Sequence, residues 1–158
     1  MPLEFAFLAD RLNAIPVVSQ WYFDEWGPLS ENDSVDGMKD LLLVYANRYE
    51  IPFMVIATED KELVGAAQLK YHELEETFPD KEHWLGSIYV AHSCRGRGYG
   101  SQIVEHMVNL APRYGIHTLH LQTEALDGGL YTRLGWTACA LARNRGVGVL
   151  VMTRHLSD

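Results

Sequence analysis

A strand, a glycine-dense turn and a helix follow one another in the middle of the chain, and they constrain the fold more than any other feature. The strand Trp84–Val90 is rich in β-branched and aromatic residues, and four loop residues separate it from the turn Arg95–Gly100, which has glycine at three alternate positions. Alternate glycines let the backbone turn sharply and bring its N–H groups close to a ligand. The helix N-terminus behind them adds unpaired donors and a partial positive charge. With Arg95 and Arg97 beside them, these groups predict a pyrophosphate-binding turn in an α/β protein.

The hydrophobic periodicity of the remaining chain predicts seven strands and four helices in the order β-α-α-β-β-β-α-β-α-β-β. The predicted elements are Phe5–Leu8, Ala9–Trp26, a helix from a Ser34 cap to about Tyr49, Phe53–Thr58, Glu62–Tyr71, Trp84–Val90, a helix from about Gly98, Thr118–Gln122, Asp127–Leu134, Trp136–Ala142 and Val147–Arg154. The acidic segment His72–His83 carries Pro79 and is expected to be an exposed loop. We find no repeat or linker, so the prediction is one domain over residues 1–158, with a mixed and substantially antiparallel sheet.

Composition limits the partners of the chain. The 158 residues carry a formal net charge of −8, which disfavours a general nucleic-acid binder because such proteins present a basic face. The longest apolar run, Leu41–Ala46, has six residues, whereas a membrane-spanning helix needs about 20. Two cysteines, Cys94 and Cys139, are too few for a disulfide framework. We therefore expect a cytoplasmic protein with no nucleic-acid or membrane partner.

Phosphate-binding families differ in how they place such glycines. No lysine follows them, so the Walker pattern is absent. The dinucleotide pattern GxGxxG/A is nearly matched by Gly96, Gly98 and Ser101, with Glu124 after the next strand as a ribose-binding acid. In that fold, however, the first glycine closes the strand directly, whereas here His92–Arg95 separate Val90 from Gly96. An NAD-dependent oxidoreductase therefore stays a weaker alternative.

The sequence fills every specified position of a third pattern, which lies between a strand and a helix and reads V-x-x-x-x-R/Q-x-x-G-x-G/A. Val90, Arg95, Gly98 and Gly100 supply these positions, and Leu130–Trp136 fits a downstream L-Y-x-x-x-G-F/W helix. Together the two motifs closely resemble those of the GNAT superfamily of acetyl-CoA-dependent N-acetyltransferases. The resemblance implies the GNAT fold, a mixed and largely antiparallel sheet of about seven strands flanked by about four helices.

The resemblance also implies acetyl-CoA as co-substrate, no metal, and direct acetyl transfer to a primary amine of a small molecule or a protein N-terminus. The central strand would pair with the pantetheine arm and the turn would hold the pyrophosphate. The residues this assigns to cofactor binding are Ile88, Tyr89, Val90, Arg95, Gly96, Arg97, Gly98, Tyr99, Gly100 and Ser101. A non-catalytic acyl-CoA sensor or interaction module on the same fold stays an alternative, and a homodimer is left open.

The resemblance matches Tyr131 to the family's general acid, which protonates the departing thiolate. A phenol with an ordinary pKa near 10 is suited to that step, although a tyrosine that only packs the helix on the sheet is the alternative. Family members with a carboxylate on the central strand would place it near Trp84 or Gly86–Ser87, and none of these residues can serve. The candidate bases are His72, Glu73 and His83, followed by Glu82 and Glu124, and each taken singly is expected to be a solvated loop residue. A water chain is a further alternative.

Two other groups of residues have weaker implications. The acidic segment Glu73–Glu82 would attract a cationic amine if it lay at the mouth through which the acceptor enters. His117 and His120 point to opposite faces of a strand, so no metal site is predicted from them.

Overall fold

The computed structural model describes residues 3–27 and 34–156, and it arranges them as one seven-stranded sheet with helices on both faces. The elements are β1 Glu4–Phe7, α1 Ile15–Trp26, α2 Val35–Val44, β2 Phe53–Glu59, β3 Glu62–Lys70, β4 Trp84–Val90, α3 Tyr99–Leu110, β5 Thr118–Thr123, α4 Gly129–Arg133, β6 Thr137–Asn144 and β7 Val147–His155. Within these two ranges no helix combines the length and hydropathy needed to cross a bilayer.

The strand order is β1-β2-β3-β4-β5-β7-β6, and every neighbouring pair is antiparallel except β4 and β5. The parallel pair is joined through α3, as a crossover connection requires. Its only register pair is Trp84 with His120, at the start of β4. Beyond that pair the two strands diverge and leave an opening between them. The mixed, largely antiparallel α/β fold expected from the resemblance is confirmed.

Each face of the sheet has its own apolar core. Val18 of α1 and Leu42 of α2 are fully buried against Met54 on one face, which we call the α1/α2 face. Ile103 and Met107 of α3 are buried on the other, the α3 face. Because successive strand residues point to opposite faces, the continuous apolar runs of β2 and β3 supply both cores.

A β-bulge interrupts β4 in the middle of the sheet. Ala66 of β3 faces Tyr89 and Gln68 faces Gly86, so Ser87 and Ile88 together oppose one residue of β3. Ser87 takes the left-handed conformation, with φ of 49°. The phenol of Tyr22 in α1 donates a hydrogen bond of 2.7 Å to the Ser87 carbonyl and so fastens α1 to the bulge. Bulges of this kind bend a strand and change the direction of its groups.

The two N-terminal helices are shorter than the periodicity predicts. The helix expected over Ala9–Trp26 begins at Ile15, because Leu8–Asp10 and Leu12–Ala14 form separate 3-10 turns around Arg11, whose φ of −142° is not helical. The second helix is capped by Ser34 as expected, with the Gly37 N–H donating to Ser34 Oγ at 3.0 Å. It ends at Val44 rather than near Tyr49. There the side chain of Asn47 donates to the Val44 and Pro52 carbonyls and turns the chain into β2.

Candidate active site

The glycine turn and the edge of β4 line an open cavity of about 330 Å³. Its walls are Glu25, Ile88, Val90, Cys94, Arg95, Gly96, Gly98, Tyr99 and Gly100. Gly96 and Gly98 have φ of 84° and 79°, and no atom lies within 4 Å of where a Cβ would stand on either. Glycine is therefore needed there for backbone conformation, and the space above the backbone stays free for a ligand. Gly98 caps α3, whose first N–H groups lack partners within the helix and attract an anion.

The two arginines of the turn lie at the rim of this cavity. The guanidinium of Arg95 lies 5.3 Å from the centre of the Tyr89 ring, and its Nε donates to the Val90 carbonyl at 2.9 Å. Arg97 is 55% exposed and lies 3.9 Å from Glu59, the carboxylate to which the Tyr99 phenol donates. Glu59 ends β2 and belongs to neither motif, so the sequence analysis did not identify it. Arg95 lines the cavity, and Arg97 stands between two glycines that line it.

The predicted cofactor residues of β4 point to different faces of the sheet. The side chains of Ile88 and Val90 line the cavity on the α3 face. Tyr89 points to the α1/α2 face, where its ring stacks on Trp21 with centroids 5.1 Å apart. Its part in the predicted site is therefore confined to its backbone. Ser101 lies in the first turn of α3, behind the glycines.

The structure brings Glu73, one of the candidate bases, into the opening between β4 and β5. Its Oε1 accepts a hydrogen bond of 3.0 Å from Gln122 on β5, and its Oε2 lies 3.0 Å from Lys70 Nζ. Only 11% of the side chain is exposed. The expectation that all of His72–His83 is an exposed loop is thus wrong at Glu73, because this residue folds back onto the sheet and finds two partners there.

Gly86 explains why Glu73 can take this position. A Cβ on Gly86 would stand 2.1 Å from Glu73 Oε2. The carboxylate therefore occupies the space that a side chain of β4 would otherwise fill, on the strand position where the sequence analysis found no usable residue. A glycine within a strand often marks such a close approach. The neighbouring connection supplies the carboxylate that the strand itself lacks.

Lys70 completes this buried group. Burial alone would lower the pKa of its ammonium, but the Glu73 carboxylate and the Tyr45 phenol favour the charged form, and together they raise the pKa above its usual value. The ammonium lies 5.8 Å from the centre of the Tyr45 ring. Lys70 and Glu73 therefore form an ion pair shielded from water, beside the divergence of β4 and β5.

Tyr131 lies on the short helix α4 and packs against the core of the α3 face. Its ring packs edge-on against Trp136, with centroids 6.3 Å apart. Burial raises the pKa of the phenol, and the negative charge of Glu73 raises it further. Tyr131 therefore keeps its proton at neutral pH and lies close enough to Glu73 to interact with it electrostatically. A group that can give a proton thus lies within electrostatic reach of one that can take a proton.

The two histidine candidates are placed differently from Glu73. The His83 carbonyl accepts from the His120 N–H at 3.0 Å, so His83 lies at the closed end of the opening. Burial lowers the pKa of His83, the Glu82 carboxylate opposes this shift, and His72 adds to it. His72 has a buried Nδ1 without a hydrogen-bond partner. Like Glu73 and Tyr131, neither histidine lines the cavity beside the glycine turn.

The two carboxylates that completed the set of candidate bases, Glu82 and Glu124, are exposed, as expected of loop residues. Of the five candidates, Glu73 is the one that combines burial in the opening with electrostatic contact with Tyr131.

Comparisons with known proteins agree with the fold. Residues 15–136 match the model of the acetyltransferase (GNAT) family. Among solved structures, an aminoglycoside 6'-acetyltransferase type Ii superimposes with a TM-score of 0.75 at 18% identity, covering 100% of this chain and 99% of that one. A ribosomal-protein-alanine N-acetyltransferase from Brucella melitensis gives 0.74 at 21% identity, covering 99% and 100% of the two chains. The acetyltransferase yncA from Salmonella typhimurium, solved with its cofactor acetyl-CoA, gives 0.71 at 18% identity, covering 99% and 95%.

No curated protein sequence matches the chain, so the family rests on the model match, with the fold in agreement. The matched region runs from α1 to the residue before β6 and includes the glycine turn, Glu73 and Tyr131. The chain belongs to the acetyltransferase (GNAT) family.

Proposed function

We propose that the protein transfers the acetyl group of acetyl-CoA directly to a primary amine, with Glu73 as general base and Tyr131 as general acid. The observation that carries the proposal is the buried Glu73 carboxylate between β4 and β5, with Tyr131 close enough to interact with it electrostatically. Acetyl-CoA, as co-substrate, supplies an activated acyl group and a thiolate leaving group.

Each part of the opening has a separate task in this proposal. The divergence of β4 from β5 leaves the backbone edge of Ile88–Val90 available to the amides of a pantetheine arm. The N–H groups of Gly96–Ser101 would hold the pyrophosphate at the N-terminus of α3. Arg95 and Arg97 would neutralise the remaining phosphate charge from the rim. The acyl group would then lie near the bulge of β4, between Glu73 and Tyr131.

Two proton transfers follow from the positions of the side chains. Glu73 takes a proton from the acceptor ammonium, because only a neutral amine can attack a carbonyl carbon. Tyr131 gives its proton to the sulfur that departs, and its raised pKa keeps that proton available at neutral pH. The hydrogen bond from Gln122 and the Lys70 ammonium hold the Glu73 carboxylate in place for the first step.

The acceptor is proposed only by class: a small-molecule amine or a protein N-terminus. The printed names of two similar structures refer to an aminoglycoside and to a ribosomal-protein alanine, which are one example of each class. The exposed carboxylates after Glu73, namely Glu75, Glu76, Asp80 and Glu82, favour a cationic amine by steering it toward the opening.

A thiol-release assay with acetyl-CoA tests the proposal. The acceptors are spermidine, kanamycin, free lysine and a peptide with an N-terminal alanine, each compared with a reaction without amine. We expect amine-dependent release of CoA with at least one of them. Binding of CoA in a calorimetric titration without release from any amine would instead support an acyl-CoA sensor. Thermal stabilisation by NAD but not by CoA would support the oxidoreductase.

A further inference from the structure

The opening between β4 and β5 already contains a primary amine, that of Lys70. Its Nζ lies 3.0 Å from Glu73 Oε2. Its Cε lies 3.1 Å from the point where a side chain on Gly86 would begin, so the end of the lysine rests directly on β4. The side chain is 17% exposed. An amine of the protein therefore stands beside the proposed base, where an acceptor amine has to arrive.

The other lysines of the chain are placed elsewhere. The sequence has four, and Lys39, Lys61 and Lys81 are the remaining three. Lys39 lies 3.8 Å from Asp36 on the exposed side of α2, Lys61 is exposed in the turn between β2 and β3, and Lys81 lies over the Phe78 ring. In the described ranges, Lys70 alone has an ion-pair contact with Glu73.

We propose that Lys70 is a site of self-acetylation, at which the protein transfers an acetyl group from acetyl-CoA to its own Nζ. The inference rests on the proposed function, because it uses the same base, acid and acyl donor. It differs in the acceptor, which here is a residue of the chain itself.

The atoms and protons balance in one transfer. Glu73 takes a proton from the Lys70 ammonium and passes it to solvent. The neutral Nζ forms a bond to the thioester carbon while the bond from that carbon to sulfur breaks. Tyr131 gives its proton to the sulfur, and the second proton that the nitrogen loses goes to Tyr131 in its place. The products are acetylated Lys70, CoA as a thiol, and one proton in solution.

The ion pair both favours and opposes this reaction. It fixes Nζ beside the base, and positioned groups of this kind react as if at very high concentration. It also holds the nitrogen as an ammonium, which cannot attack. Burial disfavours the ammonium, but the Glu73 carboxylate and the Tyr45 phenol outweigh it and keep the pKa of Lys70 above its usual value. We therefore expect acetylation of Lys70 to be slower than turnover of a good external acceptor.

Acetylation would change the site in two ways. It removes the positive charge that holds the Glu73 carboxylate, and it leaves an amide in the space beside Gly86 that the acceptor amine must enter. The modified protein should therefore lose transferase activity while it still binds CoA at the distant glycine turn. Accumulated acetyl-CoA without acceptor would in this way switch the enzyme off.

The test incubates the purified protein with acetyl-CoA in the absence of any amine and follows the four lysines by peptide mass spectrometry. We expect Lys70 to be acetylated about 10²-fold faster than the exposed Lys61, the range that a positioned base contributes. Glu73→Gln should remove this excess and leave the slow chemical labelling of Lys61 unchanged. In Lys70→Arg, which keeps the charge but presents a guanidinium, the rate measured after preincubation with acetyl-CoA should equal that variant's own rate without preincubation.

Calorimetric titration of CoA on the same preparations separates the two hypotheses. If CoA binds and amine-dependent thiol release occurs, but Lys70 is labelled no faster than Lys61, self-acetylation is refuted and the proposed function stands. If CoA does not bind, the proposed function fails, and self-acetylation fails with it. Equal labelling of Lys70 in the wild type and in Glu73→Gln would also overturn the inference, because the modification would then not use the base.

Discussion

Gly86→Ala tests whether the position of the Glu73 carboxylate matters for catalysis. The added methyl would stand 2.1 Å from Glu73 Oε2 and 2.8 Å from Cδ of the same residue, whereas ordinary contacts of a Cβ begin at about 3.4 Å. The carboxylate must therefore retreat by about 1 Å, and a misplacement of that size can lower the rate about 10²-fold. Gly86 lies within β4 and is not one of the glycines with positive φ, so alanine is accommodated there without backbone strain.

The assay for this variant is amine-dependent thiol release with the best acceptor of the panel, combined with calorimetric titration of CoA. We expect kcat to fall about 10²-fold, as the displacement predicts. The dissociation constant for CoA should stay near the wild-type value, because Gly86 does not line the cavity at the glycine turn. A change confined to kcat would show that the substitution affects the base and leaves the cofactor-binding site intact.

Gly148→Ala is the matched control, since it adds the same methyl to a strand glycine with no atom within 4 Å of the new carbon. It should retain full activity and a similar melting temperature. If Gly86→Ala folds and turns over as fast as Gly148→Ala, the carboxylate above β4 is not the base. The proton would then leave the amine through another group or through water.

The remaining predictions concern the acid, the turn and a buried histidine. Tyr131→Phe should lower kcat by about 10²–10⁴-fold with unchanged CoA affinity; near-normal turnover would make Tyr131 a packing residue. Gly98→Val should abolish CoA binding in titration, because the φ of 79° and the open surface at Gly98 suit only glycine. Wild-type affinity in a folded variant would contradict the assignment of the glycine turn to CoA binding. Arg97→Ala should weaken CoA binding more at low salt than at high salt; an equal loss at both would argue against a phosphate contact.

The pH prediction concerns His120. Burial first, and then the positive charges of Lys81, His83 and His155, lower its pKa to about 4. The unfolded chain takes up this proton near pH 6.5, so the melting temperature should fall as pH drops from about 6.5 toward 4. His120→Asn, which keeps a partner for Thr153, should flatten that slope, and an unchanged slope would refute the assignment.

The parts of the site that were predicted from sequence depend on local chemistry. The strand Trp84–Val90 has the predicted bounds because β-branched and aromatic residues fill it and a glycine turn follows. Gly98 caps α3, close to the predicted start of the helix, because a left-handed residue is needed where the turn enters the helix. These features need no knowledge of distant residues.

The position of Glu73 could not be predicted in the same way. It depends on contacts with Gly86 and Gln122, which lie 13 and 49 residues along the chain. A signal was present in the sequence, since a glycine inside a strand of bulky residues indicates that another group comes close. It did not say which group. The late start of α1 is a related case, because the propensity of Ala9–Ala14 was overruled by the packing of Leu8 and Ala14 into the core.

The central claim is that Glu73 supplies the base which β4 lacks, and its most direct test is the rate of thiol release in Glu73→Gln at saturating acetyl-CoA. The variant should fold, because the Gln122 amide can turn its buried, unpartnered Oε1 toward the new amide. We expect kcat to fall by about 10²–10⁴-fold with CoA affinity unchanged. A variant that binds CoA and keeps the wild-type kcat with the best acceptor would contradict the account.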